Sequence, residues 1–207
     1  RPAIFGYFRT LEYKNHGYHK PIMLAGGVGS IKEVHINKGA PKPGDVVVVL
    51  GGPAMLIGLG GGSASSTKKT NENSDLDFAS VQRSNPEMQR RAQQVLDKFN
   101  ERSSKNPITF IHDVGAGGIS NAIPELAKDT NLGVNIRLED IYSTDETMSP
   151  MELWCNESQE RYVFSIPKEK VPALKHICER ERCPFSIAGE LTIDRLKSKY
   201  EKSISDE

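Results

Sequence analysis

Cysteine is scarce in this 207-residue sequence, with only Cys155, Cys178 and Cys183 present. An odd number without zinc-site spacing reads as reduced cytosolic thiols used for packing, not as a disulfide framework or a metal knuckle. Charge of either sign is not in excess either: 27 Lys and Arg balance 27 Asp and Glu. A nucleic-acid or anionic-membrane surface needs a basic surplus, so both partners are excluded as expectations. No apolar run approaches the roughly 20 residues that span a bilayer. The glycine-rich stretches lack the lysine of a Walker A loop and the helix-opening GxGxxG of a dinucleotide site. His16 and His19 have no third ligand nearby and read as solvated.

What is present is organised around IHDVGAGGISNAIPEL, beginning at Ile111. The apolar run 108–111 predicts a buried strand that ends in His112 and Asp113. Gly115, Gly117 and Gly118 then allow a sharp reversal. Ile119, Ala122, Ile123 and Leu126 follow at helical spacing. Strand, glycine turn and helix N-terminus make an anion site, and a carboxylate beside it calls for a divalent cation, which suggests phosphate plus magnesium. The same residues read equally as a tight turn with a capping Asp. Pro124 predicts a late start or a kink in that helix.

The remaining elements bracket this stretch. The segment 1–9 reads as a strand with an aromatic turn, where Tyr7 and Phe8 either stack on a base or fill core. Residues 11–20 read as a polar linker, and 21–25 as a strand closed by glycines. Four valines and a leucine at 46–50 follow a strong turn signal at 41–45 and predict a strand covered on both faces. Beyond it lies GLGGGSASS, where Gly60, Gly61, Gly62 and Ser63 form either an anion nest or a flexible hairpin. Asn85-Pro86-Glu87 starts a helix whose buried stripe is Met88, Ala92, Val95, Leu96 and Phe99, and which leads into a central strand at 108–111. Strands are expected at 134–138, 161–166 and 185–193, and an amphipathic helix at 171–182. The polar cluster 154–160, before a strand, reads as a site lining or a plain loop. A polar tail covers 197–207.

The stretches GYHKPIMLAGGVGS, GGPAMLIGLGGGSASS, DLDFASVQRSNPEM, IHDVGAGGISNAIPEL and MELWCNESQERY, in this order, resemble phosphoribosylformylglycinamidine synthase in its large single-chain form. The likeness runs from Arg1 to about Thr192. It implies an α+β fold, a layered α/β sandwich like the C-terminal domain of aminoimidazole ribonucleotide synthetase. It further implies a boundary: 1–20 end a preceding N-terminal synthetase domain, 21–196 form the C-terminal-type domain, and 197–207 are a tail. The chain begins with Arg1 and is expected to be a piece of something longer.

The activity implied is the ATP- and glutamine-dependent conversion of formylglycinamide ribonucleotide to formylglycinamidine ribonucleotide, in the cytoplasm. The implied roles are substrate binding by Gln82, Glu157, Ser158 and Gln159, nucleotide contact by Phe5, Gly6 and Tyr7, and magnesium ligation by Asp113. Phe5 stands where the family carries Asn, which leaves a backbone contact at that position. No catalytic residue is expected within this stretch; ATP is a co-substrate and the other domains, with a glutaminase, are partners. The alternative is a degenerate module that holds a nucleotide or serves as scaffold without catalysis. The fragment alone is expected to fold and not to catalyse.

Overall fold

A computed structural model describes residues 6–7, 9–17, 24–59, 85–102 and 105–194. Near the N-terminus β1 (Glu12–Tyr13) pairs antiparallel with β2 (His16–Gly17), turning at Lys14 with φ 56°. A hairpin thus stands where a plain linker was expected. Of the strand expected at 21–25, only Leu24 and Ala25 are described, and both are exposed and irregular.

The main body is one five-stranded sheet. β3 (Val46–Gly51) is flanked by β6 (Arg161–Ile166) and β7 (Phe185–Thr192), with β4 (Phe110–Asp113) and β5 (Gly133–Ile136) at the edges. Every neighbouring pair is antiparallel. Among the described residues four α-helices accompany it: α1 (Pro86–Asn100), α2 (Ile119–Thr130), α3 (Pro150–Cys155) and α4 (Val171–Glu181). Antiparallel pairing with helices on both faces makes the fold α+β and layered, as expected.

The valine run explains the layering. Alternate strand residues point to opposite faces. Val46, Val48 and Leu50 join Met88, Ala92, Val95, Leu96 and Phe99 of α1 and Leu174, Ile177 and Cys178 of α4 in one apolar cluster. Val47 and Val49 join Ile119, Ala122, Ile123 and Leu126 of α2 in the other. All six residues of β3 are buried, and each such aliphatic side chain contributes roughly 1.5–3 kcal/mol. β3, the middle strand, therefore carries no polar side chain.

Helix starts follow local chemistry. Asn85 caps α1 by accepting from the Met88 N–H at 3.0 Å, with Pro86 at the first position. Ser149 and Glu152 form a reciprocal capping box on α3, a helix absent from the sequence reading although Ser-x-x-Glu is its signal. α2 runs unbroken from Ile119 through Pro124. Proline there withholds one ladder bond, to the Ser120 carbonyl, close enough to the first turn for the helix to continue.

One placement differs from expectation. The strand expected at 108–111 as central is β4, two residues later and, among the described residues, at the sheet edge and paired with β6 alone. Its alternating exposure, with Phe110 buried and Ile111 and Asp113 exposed, is that of an edge strand.

Candidate functional site

At the end of β3, the segment from Asn156 to Arg161 gathers both glycine-rich stretches. From one side comes the loop after β3. The Gly52 N–H donates to the Glu160 carbonyl at 3.2 Å, and the Glu157 N–H donates to the Ile57 carbonyl at 2.9 Å. The Met55 N–H donates to Ser158 Oγ at 3.0 Å. Gly58, with φ 67°, lies so near that a Cβ there would be 2.4 Å from the Glu157 Cβ. From the other side comes the turn before α2. The Gly117 N–H donates to Glu157 Oε1 at 2.8 Å. Gly118, with φ 65° and ψ −149°, is the N-cap of α2; a Cβ there would stand 2.1 Å from the Asn156 carbonyl oxygen. These two positions admit glycine alone, for backbone angle and for space.

Arg161 holds the segment from beneath. Its side chain is 2% exposed. Nε donates to the Ser158 carbonyl at 2.7 Å, and Nη2 to the Asn156 carbonyl at 3.0 Å and to Asn156 Oδ1 at 2.8 Å. Nη1 is buried without a partner among the described residues. Burial pulls the guanidinium down to about 10, with Glu160 acting against it, so it stays charged at neutral pH. Hydrogen bonds from a charged donor contribute about 1.5–3 kcal/mol each, enough to fix a loop. Gln159 Nε2 donates to the Glu157 carbonyl at 3.0 Å and completes the segment.

At the strand end beside this segment His112 and Asp113 have opposite partners in register, yet His112 Nδ1 lies 4.0 Å from Asp113 Oδ1 and 2.7 Å from the Asp113 carbonyl oxygen. His112 lies opposite Val163, on the α2 side, and Nε2 is 2.9 Å from Glu125 Oε2 of α2. Asp113 lies opposite Tyr162, whose ring belongs to the α1 side. There Gln89 Nε2 of α1 donates to Tyr162 Oη at 2.8 Å. The Asp113 side chain is 54% exposed. The side chains that meet at this edge are therefore Asp113, His112 and Glu125, with the Tyr162–Gln89 pair next to Asp113 in register and the Gly115 turn above. Tyr162, Gln89 and Arg161 were missed in the sequence because each reads there as an ordinary strand or helix residue.

Several expected residues fall elsewhere. Glu157 and Ser158 are each 1% exposed; their side chains brace backbone from the two glycine stretches. The Gly117 N–H is likewise taken by that carboxylate, and the Gly118 N–H donates to the Gly115 carbonyl at 3.0 Å. Those two donors are thus spent internally and do not serve the anion site that the turn was expected to form. At Gly115 a Cβ would meet nothing within 4 Å. Gly6 is equally open and Tyr7 is 86% exposed, in a stretch without regular structure. Phe5, Gln82, Gly60, Gly61, Gly62 and Ser63 lie outside the described residues.

Among the described residues there is no group of three or more His, Cys, Asp or Glu that would hold a metal by protein ligands alone. Magnesium differs from zinc in this respect, because it is commonly bound through one or two carboxylates plus substrate phosphates and water. A single half-exposed carboxylate at a strand end fits that donor set. A cleft of about 440 Å3 opens at the opposite end of β3, lined by Lys42, Asp45, Thr109, Lys168 and Glu169, where cations and carboxylates offset each other. Among the described residues no helix is long and apolar enough to cross a membrane.

Fold and site together define an α+β module in which a buried loop pins two glycine turns at one edge of an antiparallel sheet. Residues 42–200 match the family described as AIR synthase related protein, C-terminal domain, and the chain belongs to that family. Among solved structures it is similar to PurL of Thermotoga maritima complexed with FGAR, at 25% identity and a TM-score of 0.65, covering 77% of this chain and 26% of that one. It is also similar to phosphoribosylformylglycinamidine synthase II of Thermotoga maritima, at 23% identity and a TM-score of 0.60, covering 76% and 23%. Thiamine-monophosphate kinase of Stenotrophomonas maltophilia shares the fold at 12% identity and a TM-score of 0.50, covering 76% and 50%. The chain spans about a quarter of the length of the first two.

Proposed function

We propose that this chain is the C-terminal synthetase module of a phosphoribosylformylglycinamidine synthase, a ligase that uses ATP and glutamine to make formylglycinamidine ribonucleotide for purine biosynthesis in the cytoplasm. The observation that carries the reading is the meeting of both glycine stretches and the Asp113 strand end on one pinned segment, 156–161. It is supported by the likeness to a PurL complexed with FGAR.

In this reading Asp113 holds a magnesium ion together with substrate phosphates. The metal, when bound, offsets charge on the phosphoryl group as it transfers from ATP to the amide oxygen. Gly115 leaves room for a ligand to approach the backbone. Gln159 and Gln82 contact the ribonucleotide, while Phe5, Gly6, Tyr7 and the 60–63 loop contact nucleotide or phosphate. Glu157 and Ser158 serve the substrate indirectly, by fixing the turn that faces it. Ammonia comes from a glutaminase domain elsewhere in the parent enzyme, so the fragment alone binds and does not catalyse. The domain division at about residue 20 and the tail from 197 belong to the same proposal.

A second reading, a scaffold module without catalysis, draws on one observation: the Glu157 carboxylate already occupies the Gly117 N–H that an anion would use. ATP-dependent amidine formation by the complete enzyme, compared with an Asp113→Asn form, separates the two. Loss of turnover with the fold retained favours the ligase; unchanged turnover favours the scaffold.

A further inference from the structure

Helix α4 closes on two cysteines. Arg182 takes the left-handed conformation at φ 52° and ψ 39°, and the Cys183 N–H donates to the Cys178 carbonyl at 2.9 Å. This six-to-one bond is the Schellman closure, which brings the side chains of the residues it joins together beneath the helix end. It also limits their separation. With N–Cα near 1.5 Å and a carbonyl oxygen about 2.4 Å from its own Cα, the two Cα atoms lie at most about 6.8 Å apart. Disulfides span Cα separations of about 4.4–6.8 Å.

The surroundings agree. Both side chains belong to the apolar cluster shared by α1 and α4, and both line one cleft of about 350 Å3 with Tyr142, Arg182, Pro184 and Phe185. Cys155 is remote from them: it ends α3, whose Leu153 and Trp154 pack into the cluster on the opposite face of the sheet. We propose that Cys178 and Cys183 form a dithiol modification site, which a two-electron oxidant of the disulfide or diazene class converts to an intrachain disulfide. Two S–H bonds break and one S–S bond forms. The two electrons and two protons pass to the oxidant, whose N=N bond, for a diazene, is reduced to the hydrazine.

Oxidation ties the end of α4 to the residue two positions before β7. Burial pushes both thiols up, Cys183 to about 12 despite Arg91 pulling it down. Thiolate is the reacting form, so reaction waits on opening of the last helical turn, whose Glu179, Arg180 and Arg182 are exposed.

The test is diamide treatment of the whole chain at neutral pH, followed by alkylation under denaturing conditions and peptide mass mapping. The expected product has lost two hydrogens, carries one alkyl group on Cys155 and contains a peptide pair joined through Cys178 and Cys183 that dithiothreitol separates. Three alkylated cysteines after diamide, or any link that includes Cys155, overturns the proposal. A Cys183→Ser chain is expected to form no link, and a Cys155–Cys178 link in its place contradicts selection by proximity. Should that variant fail to fold, Cys155→Ser serves instead: the Cys178–Cys183 link must still form in it, and its absence counts against the site.

Discussion

Gly118→Ala isolates the contact on which the two glycine stretches depend. The residue stands at φ 65°, ψ −149°, a region open to glycine and strained for alanine. Holding alanine there costs about 1–3 kcal/mol before any contact is counted. The added Cβ would also lie 2.1 Å from the Asn156 carbonyl oxygen and 2.9 Å from its carbon. Both are backbone atoms of the segment Arg161 clamps, so relief requires moving α2 or breaking the Arg161 bonds, at about 1.5–3 kcal/mol for each charged hydrogen bond lost. The sum is roughly 3–5 kcal/mol. Urea denaturation followed by circular dichroism measures it, and a chain of this size would melt about 6–20 °C lower at about 2–4 °C per kcal/mol. Gly115→Ala is the control, since a Cβ there meets nothing within 4 Å; a change within about 0.5 kcal/mol is expected. Equal effects at the two positions would refute the claim that Gly118 is fixed by its approach to Asn156.

Other perturbations test neighbouring links. Glu157→Gln keeps the shape but removes the charge that accepts from Gly117, with an expected loss of about 1.5–3 kcal/mol in urea titration and a shift of the Gly117 amide resonance. Arg161→Lys cannot span the Asn156 and Ser158 acceptors at once and is expected to lose at least about 2 kcal/mol by the same assay. The Ser149 N–H and hydroxyl hold the Glu152 carboxyl below its ordinary 4.5. A lowered acid contributes stability above its unfolded value and loses it as pH falls through the folded one. Melting temperature should therefore fall below pH 4.5, less steeply in Glu152→Gln. Within the complete enzyme, Asp113→Asn is expected to cut ATP-dependent turnover about 10²-fold or more while leaving the glutaminase half-reaction largely intact, as steady-state kinetics would record.

How much of this was legible varies with the range of the interaction. The valine run announced its two covered faces, because continuous apolarity has few other solutions in a strand. Helix α1 was legible down to its five buried residues, since cap, proline and stripe are local signals. β4 was placed too early and too centrally: strand order is set by pairing with Arg161–Ile166, 50 residues away, which no local pattern encodes. At the site, Glu157 and Ser158 were identified through resemblance and the glycine turns through local pattern. Their inward orientation depends on Arg161 and on two close approaches between distant backbones, and neither appears in a linear pattern.

The central claim is that the edge formed by Asp113, the Gly115 turn and the 156–161 segment receives a phosphorylated ribonucleotide with magnesium. Backbone NMR of the chain during titration with formylglycinamide ribonucleotide and Mg2+ tests it most directly. The account predicts saturable shifts at the Asp113, Gly115 and Gln159 amides, weakened in Asp113→Asn. Shifts confined to the far end of β3, around Lys42 and Lys168, with none at Asp113 or Gly115, would contradict it.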